Sequence, residues 1–370
     1  MPPMTNLLEM RNVTQVFGDV NKGGTVAVDN LSYTISADQP SFTAVVGESG
    51  SGKTTIARIL LGFQEPSEGQ VLYRGHDLAK APRDISNQFR REVQAVFQDP
   101  FEVYNPFYKV DHILDVPIKK FKLASGRAAT RALMEEALTR VGLRPEETLG
   151  RYPHQLSGGQ RQRITVARAI LLKPRLIVAD EPVSMVDASL RATILQTLRA
   201  LNEDLGISFV YITHDLTTAY QVSDNILVLY RGRVAEMGDV TSVIKNPQHP
   251  YTQLLVASIP LPDPNRRWGE NVVAASQDEM SDFRAGCTFA PRCPYVMDIC
   301  RSTVPPLYQI DPHRASACFL APQANPDDLP TVEGDVTGVF QPSERLLALT
   351  GASDGGSGDP LITDIASQTR

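Results

Sequence analysis

Eight consecutive residues, Gly47–Thr54, read GESGSGKT, with glycines at the first, fourth and sixth positions ahead of a lysine and a hydroxyl. Glycines at this spacing let backbone N–H groups wrap a phosphate chain, and a following helix adds a favourable field for anions at its N-terminus. Lys53 then reaches the β- and γ-phosphates, and the Thr54 hydroxyl is a ligand for Mg²⁺. Gly47, Glu48, Ser49, Gly50, Ser51, Gly52, Lys53, Thr54 and Thr55 are the candidate phosphate-binding residues. A second constellation is Leu176–Asp180 followed by Glu181, an apolar run ending in two acids. At a strand end near a phosphate loop, Asp180 holds the metal through water, and Glu181 is placed to polarise an attacking water as general base. His214, after the run Ser208–Thr213, can donate to the γ-phosphate and hold that water in line. Gln98 follows another short apolar run, where it can sense both the metal and a partner. Leu156–Gln160 reads LSGGQ, which arises by chance on the order of once in a thousand such chains. There Ser157 and the N–H groups of Gly158 and Gly159 cap a helix beginning near Gln160, which forms a second anion site. One nucleotide needs one phosphate loop, so a second phosphate-binding surface points to use in trans.

These residues need strand ends and helix starts to position them, and the sequence supplies both. Residues 1–260 alternate strand and helix patterns, which implies a mostly parallel sheet covered by helices. Phe42–Val46 is a short apolar run ending at the glycine-rich turn, and Thr54–Phe63 continues at helical spacing through Ile56, Ile59 and Leu60. Leu176–Ala179 and Ser208–Thr213 are buried-strand candidates, with the helical pattern Leu190–Leu205 between them. Residues 111–150, notably Ala128–Val141, are richer in helix formers and read as an inserted helical subdomain spanning about 99–170. A break is expected near 260, where Ile259–Pro264 holds three prolines, and Gly351–Pro360 reads as a flexible linker.

Composition narrows the class. The 370 residues carry 36 Lys+Arg against 42 Asp+Glu, a formal charge of −6, which gives no general electrostatic reason to bind nucleic acid. Hydrophobic content of 42% fits a globular protein with a sizeable core and excludes collagen-like or wholly disordered chains. The longest apolar runs, such as Ile226–Tyr230, are strand-sized, and Met1–Glu9 lacks a basic region followed by an apolar stretch, so an intracellular, soluble chain is expected. All four cysteines, Cys287, Cys293, Cys300 and Cys318, fall in one short segment. A reducing compartment disfavours a disulfide framework and favours a metal or cluster. The spacing lacks the C-x-x-C knuckle of a common zinc site; a [4Fe–4S] cluster, zinc and four unliganded core cysteines stand as the three readings.

Together these motifs resemble the ATP-binding cassette (ABC) ATPases. The resemblance assigns the Walker A loop to Gly47–Thr54, the Q-loop to Gln98, the signature to Leu156, Ser157, Gly158, Gly159 and Gln160, and the Walker B strand to Leu176–Asp180. Glu181 becomes the catalytic base, His214 the switch histidine and Asp187 the D-loop acid, although Ser184–Asp187 reads SMVD rather than the commoner SALD. Thr54, Gln98 and Asp180 would hold Mg²⁺, and Phe17 sits where the family stacks an aromatic on adenine, with a place in the core as the other reading. His249–Leu255, Ile259–Pro260 and Gly286–Pro294 resemble the oligopeptide/dipeptide branch of the importers, whose relatives also carry nickel or oligosaccharides. The implied fold is α/β, a P-loop NTPase with an inserted helical subdomain and a small Cys-rich C-terminal extension over 261–325, the branch's [4Fe–4S] site. An acidic tail over 326–370 is expected to be a solvated extension.

The implied activity is ATP hydrolysis coupled to solute uptake at the cytoplasmic face of the membrane. The implied partners are two transmembrane permease subunits, a second ATPase (a copy of this chain or a paralogue) and an external solute-binding protein, with no nucleic acid. A soluble ABC ATPase acting on DNA or ribosomes usually carries coiled-coil insertions or two cassettes, and this chain has one phosphate loop and one LSGGQ. An exporter is disfavoured by the importer-like C-terminal motifs.

Overall fold

The computed structural model describes residues 6–18, 24–99, 103–259, 285–321 and 329–340. The expected proline break after Ile259 and the linker at Gly351–Pro360 lie outside these residues.

Two sheets organise the chain. The main one has eight strands: β3 (Phe42–Val46), β6 (Val93–Val96), β7 (Leu176–Asp180), β8 (Ser208–Thr213), β9 (Asn225–Tyr230), β10 (Arg233–Asp239), β11 (Tyr308–Asp311) and β12 (Arg314–Ser316). Their order is β11-β12-β10-β9-β3-β8-β7-β6. The five strands from β9 to β6 pair in parallel, and β10, β12 and β11 continue antiparallel. Every residue of β3, β8 and β9 is buried, the unbroken apolar pattern of strands covered on both faces. Phe42 and Phe209, adjacent in register, stack at 4.8 Å between ring centroids.

The second sheet is antiparallel: β1 (Asn6–Phe17), β2 (Thr25–Ser36), β4 (Glu68–Tyr73) and β5 (His76–Asp77), in the order β2-β1-β4-β5. The mostly parallel sheet read from the sequence misses this layer. Strand–helix alternation reports crossovers, whereas β1 and β2 are consecutive strands that pair through a hairpin. Helix α1 (Lys53–Leu60) buries Ile56, Ala57, Ile59 and Leu60 in the same core as Leu8, Val13 and Ile35 of this sheet and Val45, Val178 and Ile212 of the main one.

Most of the remaining helices bury residues in a second core on the other face of the main sheet. The remaining helices are α2 (Arg83–Glu92), α3 (Asp111–Lys120), α4 (Arg127–Arg140), α5 (Pro145–Thr148), α6 (Gly158–Ile170), α7 (Ala188–Leu205), α8 (Leu216–Val222), α9 (Val240–Lys245), α10 (Pro250–Ala257) and α11 (Asp298–Ser302). Of these, α2 packs Phe89 into the α1 core instead. Helices α3, α4 and α6 share a core through Leu114, Ile118, Leu138 and Ile164, the helical insertion expected between 99 and 170.

The C-terminal third departs from the expected layout. Strand β12 pairs with β10, Glu236 opposite Ser316, so part of the cysteine-bearing segment extends the main sheet. Residues 329–340, expected as solvated tail, return to the antiparallel sheet. Val339 is 2% exposed, Phe340 meets Tyr33 edge-on at 6.2 Å, and Asp335 bridges to Ser32 of β2. The apolar residues Val332, Val336, Val339 and Phe340 are the cause: they pack into the core that holds Leu31, Tyr33 and Ile35 of β2. Residues 341–370 lie outside the described set.

Candidate active site

Four parallel strands deliver the candidate residues to one edge. Register pairs Val96 with Ala179, Asp180 with Ile212, and Thr213 with Val46. The residues at or just past these strand ends are therefore Gln98, Asp180 with Glu181, His214 and Gly47, side by side at the carboxyl edge. In open α/β sheets this edge is where ligands bind.

The phosphate loop is held in a conformation few residues tolerate. Gly47, Gly50 and Gly52 have φ of 154°, 78° and 106°. A Cβ on Gly52 would stand 2.1 Å from the Ala27 carbonyl, and one on Gly47 2.2 Å from that of Leu229, so glycine is required at both. Lys53 Nζ donates to the carbonyls of Gly47 at 2.7 Å and Glu48 at 2.9 Å, folding the ammonium into its own loop. Burial pulls its pKa down, opposed by the charges of Glu181, Asp180 and Glu48. Ser51 is buried, and its hydroxyl has no hydrogen-bond partner among the described residues. Ser49 and Gly50 are exposed at the tip, and Thr55 is half-buried on α1.

Asp180 accepts a hydrogen bond from Thr54, which lowers its pKa, but burial is the larger effect and holds the carboxyl above the usual range. A half-buried carboxylate and a hydroxyl are hard oxygen donors, the chemistry Mg²⁺ prefers. Next to it, Glu181 stands at φ 46°, its N–H bonded to the Ile212 carbonyl at 2.9 Å and its own carbonyl to the Ser184 hydroxyl at 2.9 Å. This backbone turns the side chain toward β8, where Glu181 Oε1 meets His214 Nδ1 at 2.9 Å. Gln98 is exposed on the loop after β6. Phe17 ends β1 at 45% exposure, which excludes a place in the core.

The signature residues form their own surface. Helix α6 begins at Gly158, two residues earlier than expected, because Ser157 takes the N-cap. The Ser157 hydroxyl accepts from the Gln160 N–H at 3.2 Å, and Gln160 Oε1 accepts from the Ser157 N–H at 2.9 Å, a reciprocal capping box. Leu156 and Gly159 are buried beneath while Ser157 is exposed. A Cβ on Gly159 would meet Leu190 at 2.8 Å, and one on Gly158 the Met185 carbonyl at 3.6 Å. Asp187, the exposed N-cap residue of α7, lies between these two contacts in sequence, so the residues expected to act in trans are neighbours.

Comparison with known proteins agrees with this geometry. Residues 28–184 match the family described as ABC transporter, and residues 235–300 match the oligopeptide/dipeptide transporter C-terminal region. A "Probable peptide ABC transporter ATP-binding protein" of Sinorhizobium fredii is 40% identical over 299 residues, 80% of this chain and 84% of that one. The chain belongs to the ABC transporter ATP-binding family. A dipeptide transport ATP-binding protein of Haemophilus influenzae is 38% identical, covering 79% of this chain and 88% of its own. Among solved structures, a dimeric ATP-binding cassette in a post-hydrolysis state with ADP and phosphate superposes at a TM-score of 0.56. It is 29% identical and covers 63% of this chain and 98% of itself. As an ABC ATPase, the chain binds ATP and hydrolyses it in the service of transport. Among the described residues no helix is long and apolar enough to cross a membrane.

The four cysteines come together. All four carry free thiols, and Cys287, Cys293, Cys300 and Cys318 line one cavity of about 10 Å³ together with His249, Phe289 and Phe319. Yet among the described residues no group of three or more His, Cys, Asp or Glu is arranged to hold a metal ion. The thiols thus converge on one cavity without the ligand geometry of a metal site. Burial and the neighbouring sulfurs push the Cys318 thiol up to about 12, and Cys287 and Cys293 also rise, so without a cation these groups stay protonated.

Two residues at the phosphate loop escaped the sequence reading. Tyr251 Oη accepts from the Glu48 N–H at 2.8 Å, and Arg292 binds the Glu48 carboxylate with two nitrogens at 2.8 and 2.9 Å. Both stand more than 200 residues from the loop, and both lie in motifs quoted above only for their family resemblance.

Proposed function

We propose that the chain is the ATP-hydrolysing subunit of a peptide importer, docked on the cytoplasmic face of the membrane against two permease subunits. The observation that carries this is one edge holding Lys53, Asp180, Glu181 and His214 in a chain whose relatives are named for peptide and dipeptide transport. Lys53 and the loop N–H groups hold the phosphates, and Phe17, exposed at the end of β1, stacks on adenine. Thr54, Gln98 and Asp180 would hold Mg²⁺, which would neutralise charge on the nucleotide's phosphates. Glu181 takes a proton from the attacking water while His214, bonded to it at 2.9 Å, fixes the carboxylate's direction. Leu156, Ser157, Gly158, Gly159, Gln160 and Asp187 close over the nucleotide of a second ATPase, a copy or a paralogue, and closure drives the permeases. An external binding protein delivers the peptide.

For the cysteines we propose the [4Fe–4S] cluster of the importer branch, supported by four soft donors lining a single cavity. Iron and acid-labile sulfide assays on anaerobically purified protein test it: zinc alone, or no metal, removes the cluster.

The transport reading is tested by gentle solubilisation and affinity purification of the tagged chain. Two multi-span permeases should co-purify, and vesicles holding the complex should hydrolyse ATP faster when peptide-loaded binding protein is enclosed. Recovery of soluble partners or nucleic acid alone would overturn it.

A further inference from the structure

Glu48 is the second residue of the phosphate loop, and each of its polar groups is engaged. Its carbonyl takes Lys53 Nζ at 2.9 Å, its N–H goes to Tyr251 Oη at 2.8 Å, and its carboxylate receives the Arg292 fork at 2.8 and 2.9 Å. The last two partners come from α10 and from the turn between Cys287 and Cys293. Arg292 is itself confined. Its guanidinium lies over the Phe289 ring at 5.6 Å and the Tyr230 ring at 5.8 Å, and Tyr230 and Tyr251 pack at 4.5 Å. The Glu48 carboxylate raises its pKa further, so the guanidinium remains charged at any physiological pH. Successive backbone bonds fold the turn that carries it: Ala290 N–H to Cys287 carbonyl at 3.0 Å and Cys293 N–H to Ala290 carbonyl at 3.3 Å. Cys287 N–H in turn meets the Cys300 carbonyl at 2.8 Å.

We propose that Arg292 is a positioning residue for ATP: it clamps the phosphate loop through Glu48 and makes nucleotide affinity depend on the fold of the cysteine-bearing turn. The same carbonyl that Glu48 offers to Lys53 belongs to the peptide the clamp immobilises. Releasing the carboxylate frees that peptide, and the loop then has to be ordered by ATP itself, which costs affinity. A bidentate guanidinium–carboxylate pair suits this task because its planar fork fixes direction as well as distance.

The proposal rests on Gly47–Thr54 being the phosphate loop, and the variants separate the two. Binding of a fluorescent ATP analogue and steady-state ATPase kinetics are measured on the full chain purified anaerobically, for wild type, Arg292→Ala, Arg292→Lys, Glu48→Gln, the Arg292→Ala/Glu48→Gln pair, and Lys53→Ala. Arg292→Ala should weaken nucleotide binding on the order of ten-fold, the size of one charge-assisted hydrogen bond. KM should rise more than kcat falls, Arg292→Lys should recover part of the affinity, and the double variant should bind no more weakly than Arg292→Ala alone. If Lys53→Ala loses the analogue while Arg292→Ala binds as wild type does, the clamp is wrong and the loop reading stands. Additive losses in the double variant, or a fall in kcat alone, also overturn the clamp. If Lys53→Ala binds normally, the phosphate-loop reading itself fails.

Discussion

Glu181 sits at φ 46°, a conformation costly for a residue with a Cβ, and it does so beside the only described contact of His214 with an acid. Strain of this kind persists where surrounding structure over-determines it, here the bond from its N–H to Ile212 and the Ser184 hydroxyl on its carbonyl. Glu181→Gln keeps the shape and removes the base. Turnover should fall about 10²–10⁴-fold with nucleotide affinity retained, read by phosphate release against analogue binding. Surviving turnover would mean another group takes the proton. Lys53→Ala should do the reverse, because it deletes the loop's buried cation: binding itself weakens, as equilibrium titration will report. Both roles are proposed from residue order alone. The His214–Glu181 pairing is not, since it depends on β7 and β8 lying adjacent in register.

At the scale of elements, the capping box at Ser157 joins helix stability to surface chemistry. Ser157→Ala removes the side-chain cap and should cost about 1 kcal/mol, seen as a small shift in the urea midpoint. Ser157→Arg adds bulk and positive charge at an exposed helix N-terminus, so it should block pairing of two ATPases while leaving analogue binding to the single chain intact. Sedimentation with ATP, in the Glu181→Gln background to prevent turnover, distinguishes these; a dimer that still forms would exclude the signature from the contact. The helix start was read two residues late because glycines at 158 and 159 look like a loop by propensity, whereas the reciprocal Ser157–Gln160 bonds hold them in the first turn.

Over the whole molecule, the described residues 308–316 and 329–340 pack against the two sheets, and their energetics should show in global unfolding. Val339 is buried against the antiparallel sheet, so Val339→Ala should cost about 1–2 kcal/mol, lowering the urea midpoint at constant slope. An unchanged midpoint would mean that residues 329–340 contribute nothing. His249 is buried, its Nδ1 accepting the Tyr251 N–H at 3.0 Å, and burial pushes its pKa down to about 4. The folded state therefore binds fewer protons than the unfolded chain between the ordinary value of 6.5 and about 4. Stability present above pH 6.5 should be lost as pH falls through that window, by up to about 3 kcal/mol. Glu236, raised by burial, works in the opposite direction and softens the slope. His249→Asn, which can still cap α10, should melt with a flatter pH dependence there; an identical profile would show that His249 does not set it.

Sequence alone was enough to nominate the phosphate loop, the acid pair and the signature, and to determine the alternation of strands and helices around them. These depend on residues close together in the chain, whose spacing is itself the chemistry. The tertiary structure decided what depends on distant segments meeting: the Arg292 fork on Glu48, the Tyr251 hydroxyl on the loop N–H, and the return of residues 329–340 to the antiparallel sheet. It also decided that four cysteines separated by 5, 6 and 17 residues face one cavity. No local pattern encodes such contacts, because a side chain's partner across 244 residues is selected by sheet order and packing.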